Sequence, residues 1–174
     1  MRPARLVERA FLLLGSNLEP EIHLPKAARG LARFGRIGKI SQVYQSRPVA
    51  RPGQPDFLNG GVLLETDLDL LTLSDHLRAL EAELGRVRGA DKHAARTIDI
   101  DICLFGARIE REPVLIPAAE LVEHAHVAVP IAELDPGFPH PITGEALGSI
   151  AARLAHGAQL RQRDNVSLAA DSAA

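Results

Sequence analysis

Residues 96–106 read RTIDIDICLFG. Ile98, Ile100 and Ile102 alternate with Thr97, Asp99 and Asp101, the period of a strand that buries one face. Continued alternation puts Thr97, Asp99, Asp101, Cys103 and Phe105 on one face and Ile98, Ile100, Ile102 and Leu104 on the other. The aspartate face turns apolar at Cys103 and Phe105, so it too is expected to be partly covered. Side chains two apart on a strand are about 6.5–7 Å apart. Two carboxylates about 6 Å apart repel by roughly 3 kcal/mol at an effective dielectric near 20, and each also loses hydration. A hard divalent cation offsets both terms. Magnesium takes one or two protein carboxylates and fills its shell with water and phosphate oxygens. Taken alone, Asp-x-Asp also fits a solvated strand with two exposed aspartates.

The residues just before the pair weigh against that alternative. Arg86, Arg88, Lys92 and Arg96 fall within eleven residues and end at the carboxylates. Cations beside a metal site imply a polyanion that bridges both, because arginine and lysine hold some phosphate oxygens while the metal holds others. The chain has no Gly-x-x-x-x-Gly-Lys-Ser/Thr loop and no kinase Gly-rich or His-Arg-Asp motif.

Working outward, ERAFLLLGSN (8–17) reads as a buried first strand ending in a Gly-Ser-Asn turn. Pro20 to Phe34 carries Ile22, Leu24, Ala27, Ala28, Leu31 and Phe34 at helical spacing, with Pro25 expected near the helix start. KISQVYQSRPV (39–49) is a second strand and FLNGGVLLET (57–66) a third. Gly60 and Gly61 mark a bulge or a close backbone approach in the third. Leu70, Leu71, Leu73, Leu77, Leu80 and Leu84 form a helical stripe that Gly85 stops. With RTIDIDICLFG as fourth strand, the order is β-α-β-β-α-β, an α+β ferredoxin-like core with an antiparallel sheet. The Pro-punctuated remainder adds short helices and hairpins. One domain over residues 1–160 is expected, with 161–174 as a disordered tail.

Composition excludes several classes. A formal net charge of -2 gives no basic field for nucleic acid or an anionic membrane. Aromatics at 3% leave little for base stacking. The single cysteine, Cys103, cannot form an intrachain disulfide, and with no secretory signal in view a cytoplasmic, monomeric protein is expected.

Five segments, in order and spacing, resemble 6-hydroxymethyl-7,8-dihydropterin pyrophosphokinases: LLGSNLEP (13–20), VYQSRPV (43–49), GQPDFLNGGVLLET (53–66), LEAELGRVR (80–88) and RTIDIDICLFG. The resemblance implies a magnesium-dependent diphosphotransferase of folate synthesis. Such an enzyme moves the β,γ-pyrophosphoryl group of ATP to the pterin hydroxymethyl oxygen and releases AMP. It implies two Mg2+ ions held by Asp99 and Asp101, with Arg86 and Arg96 contacting phosphates and stabilising the transferring group. It implies a pterin site at Ser46, Pro48, Val49, Phe57, Asn59 and His126, and an ATP site at Glu81, Arg88, Lys92, His93 and Ile102. An amide at position 59 suits a flat heteroaromatic edge, since it both donates and accepts.

The chain departs from the family pattern in two places. His93-Ala94-Ala95 stands for an aromatic residue followed by Gly-Pro. Ala118 stands where a histidine is usual, His124 near an arginine, and His126 for a ring-stacking phenylalanine. Protonation of His126 would make pterin binding pH-sensitive. These departures leave a second expectation open, a paralogue that binds ATP or a pterin with little or no transfer.

Overall fold

Ala10–Leu14, the longest apolar run near the start, is buried on both faces and so lies at the centre of the sheet. The computed structural model describes residues 5–48, 53–91 and 94–169. β1 (Glu8–Ser16) pairs antiparallel with β3 (Phe57–Thr66) on one side and β4 (Asp99–Phe105) on the other. β2 (Arg36–Ser46) flanks β3, and a two-residue β5 (Arg161–Gln162) flanks β2, giving the order β4-β1-β3-β2-β5. α1 (Pro20–Leu31) and α2 (Leu70–Glu83) connect strands, while α3 (Ala125–Leu134) and α4 (Leu147–Ala155) follow β4. This is the expected βαββαβ α+β core with helical additions. Among the described residues no helix is long and apolar enough to cross a membrane.

The two sheet faces bury separate cores. Leu12, Leu14, Val62 and Leu64 point to one face and pack with Leu24, Ala28, Leu31 of α1 and Leu73, Leu77, Leu80 of α2. Phe11, Leu13 and Leu63 point to the other and pack with Val127, Ile131 and Leu134 of α3 and Ile150 of α4. α2 begins as its sequence dictates: Asp69 accepts the Thr72 N–H at 2.8 Å, a cap that stabilises a helix by about 1 kcal/mol. Gly85, at φ 88°, ends it. In α1 the buried stripe is Leu24, Ala27, Ala28 and Leu31. Ile22 lies off that stripe, exposed, contrary to expectation. The helix also starts earlier than expected. Pro20 takes its first turn, and Pro25 sits inside, where its missing N–H removes one backbone bond.

Two glycines prove to mark close approach. A Cβ on Gly61 would lie 2.9 Å from the Pro130 carbonyl of α3, and one on Gly60 would meet Leu168. The β1–β3 register runs through both without a break; the irregularities are in β2, between Ile37 and Lys39 and between Ile40 and Val43. Leu168 and Val166 are core residues. Residues 161–169, read from the sequence as the start of a disordered tail, instead add β5 to the sheet and close the α1–β2 side of the core. Weak local patterning hides such a segment, because its apolar partners are distant in sequence.

Simple alternation also fails near the end of β4. Leu12 pairs with Ile102, but Phe11 pairs with Leu104 and Ala10 with Phe105, so Cys103 is an extra residue. This bulge reverses the parity. Leu104 joins the aspartate face and Phe105 crosses to the isoleucine core.

Candidate active site

The cleft is laid out by strand register. Gly15 of β1 pairs with Asn59 of β3 on one side and with Asp99 of β4 on the other. These three positions form one row across the sheet, on the α3 face. The next row is Gly61, Leu13 and Asp101. A cavity of about 590 Å³ opens over the first row and over Leu13 and Asp101 of the second, walled by Leu77 and Glu81 of α2 on one side and His126 of α3 on another. Gly15 is needed in the first row, since a Cβ there would sit 2.8 Å from Asn59 Oδ1. Asn59 is buried, and its Nδ2 donates to Ser46 Oγ at 3.1 Å.

At the other end of the row, charges alternate in sign. Arg96 Nη1 donates to Asp99 Oδ2 at 2.9 Å, and Arg86 Nη1 lies 3.8 Å from Asp99 Oδ1. Glu81 is only 2% exposed; its carboxylate accepts the Ile100 N–H at 3.1 Å and Arg88 Nη2 at 2.7 Å. Burial, and then Asp99, push Glu81 above the usual carboxylate range. Asp101 stands outside these bridges. Enclosure pushes its carboxyl up to about 7, helped by the negative charges of Asp99, Glu81 and Glu120. By accessible surface Asp101 is an exposed residue of the cleft, so water screens part of this effect. Its shift therefore reflects a confined, acid-rich cavity rather than a dry core.

Asp99 and Asp101 therefore differ. Arginines compensate Asp99, whereas Asp101 is a carboxylate whose charge the surroundings oppose. Among the described residues no three His, Cys, Asp or Glu side chains are grouped as metal ligands. Two adjacent carboxylates at the mouth of a cavity match the small donor number magnesium takes from protein.

Most of the expected site residues meet here. Ser46, Pro48, Phe57, Asn59, Glu81, Arg88, Arg96, Asp99, Asp101, Ile102 and His126 all line the cavity. Val49, Lys92 and His93 lie outside the described residues. Arg86 is set behind the cavity wall, where it donates to the Ile98 carbonyl at 3.1 Å and faces Asp99. Ala118 lines the cavity as a small gap-former. Gly15, Gln54 and Glu120 also line it, though sequence patterning does not single them out.

His126 separates the cleft from a second cavity of about 330 Å³, with Ser46 and Arg47 shared between the two. Its ring stacks on His124 with centroids 5.3 Å apart. Burial, and then the His124 ring, hold His126 down at about pH 4. The ring is neutral across the neutral range, so the pH-sensitivity expected of it there is absent. A consequence follows for stability. In the unfolded chain the imidazole takes a proton near pH 6.5. The folded ring refuses it until about pH 4, so stability falls with pH through that window. Thermal melts at pH 7 and pH 4.5 check this: acid should lower the Tm of wild type more than that of His126→Phe. Equal losses would show that His126 has an ordinary pKa.

Comparison with known proteins bears on the same residues. Residues 11–136 match the family described as 7,8-dihydro-6-hydroxymethylpterin-pyrophosphokinase (HPPK). The chain is 37% identical over 140 residues to the Pseudomonas aeruginosa 2-amino-4-hydroxy-6-hydroxymethyldihydropteridine pyrophosphokinase, covering 78% of this chain and 86% of that one. It is 33% identical over 145 residues to the folic acid synthesis protein fol1 of Pneumocystis carinii, covering 82% of this chain but 20% of fol1. Its fold superposes on the Plasmodium falciparum HPPK-DHPS solved with pteroate at a TM-score of 0.66 and 13% identity. That match covers 88% of this chain and 43% of the other.

Proposed function

This chain belongs to the 7,8-dihydro-6-hydroxymethylpterin-pyrophosphokinase family, and from that premise we propose that its cleft transfers the β,γ-pyrophosphoryl group of ATP to the hydroxymethyl oxygen of 6-hydroxymethyl-7,8-dihydropterin. The observation that carries the reading is the row Asn59–Gly15–Asp99. It sets a ring-recognising amide and a phosphate-handling charge cluster on one floor, two strand spacings or about 10 Å apart. The relatives' names favour transfer over a binding-only paralogue.

In this reading Asn59, oriented by Ser46, takes the pterin edge, while Phe57, Pro48 and His126 bound its faces. Neutral His126 presents a flat ring without charge. Arg96 and Arg88 meet the phosphates, and Arg86 holds Asp99 in place from behind. Asp99 and Asp101 would hold magnesium, which supplies neutralisation of phosphate charge when bound. Removal of Mg2+ by chelation is accordingly expected to abolish transfer. The chemistry asks little else of the protein. The hydroxymethyl oxygen attacks the β-phosphorus and gives up its proton to solvent, the bond from that phosphorus to the α-phosphate oxygen breaks, and AMP leaves. Catalysis is then alignment and charge stabilisation. Ile102 and the lining near Ala118 bound the nucleotide end.

The test is AMP release from ATP and Mg2+, with and without 6-hydroxymethyl-7,8-dihydropterin. Pterin-dependent AMP is expected. Nucleotide binding without AMP would leave the binding-only paralogue as the better reading. A sharper variant is Gly15→Ala. The added methyl displaces the Asn59 amide, so the pterin KM should rise by about tenfold, the loss of one well-placed hydrogen bond. An unchanged KM would remove Asn59 from pterin recognition.

A further inference from the structure

Ser46, Phe57 and Asn59 face the cavity from one end of the sheet. Ser46 and Phe57 are also the last pair of the β2–β3 ladder, and a ladder end opens more readily than its middle. Alternation turns Gln45 the other way, with Val43, towards the α1–α2 core. On that reverse face three polar side chains stand in series. Arg163 Nη1 donates to Gln45 Oε1 at 3.0 Å, and Gln45 Nε2 donates to Asp56 Oδ2 at 2.8 Å. None of the three lines the cavity. The amide passes the constraint on because its oxygen and nitrogen share one plane: with Oε1 held, Nε2 has a fixed direction. Asp56, so held, is the residue bonded to Phe57.

Arg163 is itself well anchored. Its N–H donates to the Val43 carbonyl at 2.8 Å, Nε donates to Asn165 Oδ1 at 3.0 Å, and Nη2 lies 3.7 Å from Glu21 Oε1 of α1. The segment around it is fixed on both sides. β5 pairs Arg161 with Gln45 and Gln162 with Tyr44. Val166 and Leu168 are buried in the α1–α2 core, and Leu168 fills the space beside Gly60, the neighbour of Asn59. All of this lies beyond residues 11–136, the part of the chain that matches the family.

We propose that Arg163 is a positioning residue for the pterin half of the cleft. Through Gln45 and Asp56 it braces the end of the β2–β3 ladder from behind, and so keeps Ser46, Phe57 and Asn59 in the geometry that receives the ring. The inference rests on the proposed function in taking that ring to be a pterin. The brace acts on one half only. Asp99 and Asp101 stand on β4, at the opposite edge of the sheet from β5, so the nucleotide half is left untouched.

The test is steady-state AMP release by wild type and variants, with 6-hydroxymethyl-7,8-dihydropterin and ATP varied in turn. Arg163→Ala and Asp56→Ala should each raise the pterin KM about fivefold, with the KM for ATP within about twofold of wild type. Asp56→Asn keeps an acceptor for Gln45 and should retain the wild-type pterin KM. Glu21→Ala removes the ion pair but spares the Gln45 bond, and should retain it too. A merely structural role would lower the active fraction, and with it kcat, at constant KM. A constant pterin KM in Arg163→Ala, or equal rises for both substrates, overturns the proposal. Should Arg163→Ala fail to fold, Asp56→Ala carries the kinetic test. A second arm needs no substrate. Amide exchange at residues 45–46 and 57–59 should be about fivefold faster in Arg163→Ala, or in Asp56→Ala, than in wild type, with residues 99–101 unchanged. Unchanged exchange at 57–59 overturns the brace. Where wild type releases no pterin-dependent AMP, the proposed function fails, and the exchange arm decides the brace by itself.

Discussion

Asp101→Asn is expected to lower turnover by about a thousandfold while leaving the protein at least as stable as wild type at pH 7. The two halves of this result have separate causes. Removing a charge aimed at the transferring group, directly or through a bound cation, costs about 10²–10³ in rate or more. The stability half follows from the sign of the pKa shift. The unfolded chain ionises Asp101 near pH 3.8, but the folded cleft resists until about pH 7. Stability from this group is complete below pH 3.8 and is lost as pH rises towards 7, so a neutral amide of the same shape relieves the strain. A divalent cation reverses this logic, because it favours the charged form. Mg2+ with nucleotide should therefore raise the Tm of wild type more than that of Asp101→Asn. Steady-state AMP assays and paired melts are sufficient. A fully active variant would remove Asp101 from the chemistry, and a variant less stable than wild type at pH 7 would contradict the cleft electrostatics.

Gly61→Val is expected to cause the largest loss of stability among the site-adjacent substitutions. A Cβ at 61 meets the carbonyl oxygen and carbon of Pro130 at 2.9 and 3.2 Å and Leu134 Cδ1 at 3.2 Å. Backbone of a packed helix cannot swing aside as a side chain can. The Gly61 N–H is also anchored to Ser41 Oγ at 2.7 Å, so the strand cannot retreat without losing a buried bond. Overpacking of this kind costs about 1–3 kcal/mol, which lowers Tm by roughly 2–12 °C in a domain of this size. Gly60→Ala provides the contrast, because its neighbour is the Leu168 side chain, which can change rotamer. Its Tm should fall clearly less. Equal losses at 60 and 61 would show that α3 does not rest on Gly61. Since α3 also carries His126, Gly61→Val should raise the pterin KM as well.

The sequence by itself determined the strand and helix order, because each element carries its own periodicity and its own stop. Alternating isoleucines make β4, the leucine stripe between Asp69 and Gly85 makes α2, and five ordered motifs point to the family. It also exposed Asp99 and Asp101, since charges inside an apolar strand stand out, and Arg96 as the end of a basic run, while Asn59 followed from the family resemblance. Tertiary structure decided what depends on partners far along the chain. The bulge at Cys103 exists only against β1, and it sends Phe105 to the other core. Leu168 is a core residue only because Gly60 leaves it a place. Arg86 stands behind Asp99 rather than in the cavity because the Ile98 carbonyl holds it there. Asn17 reads as a turn residue until its partners arrive from 37 and 79 positions away. Local pattern encodes which face a residue shows, whereas the groups that meet it there are set by packing between elements that no short window contains.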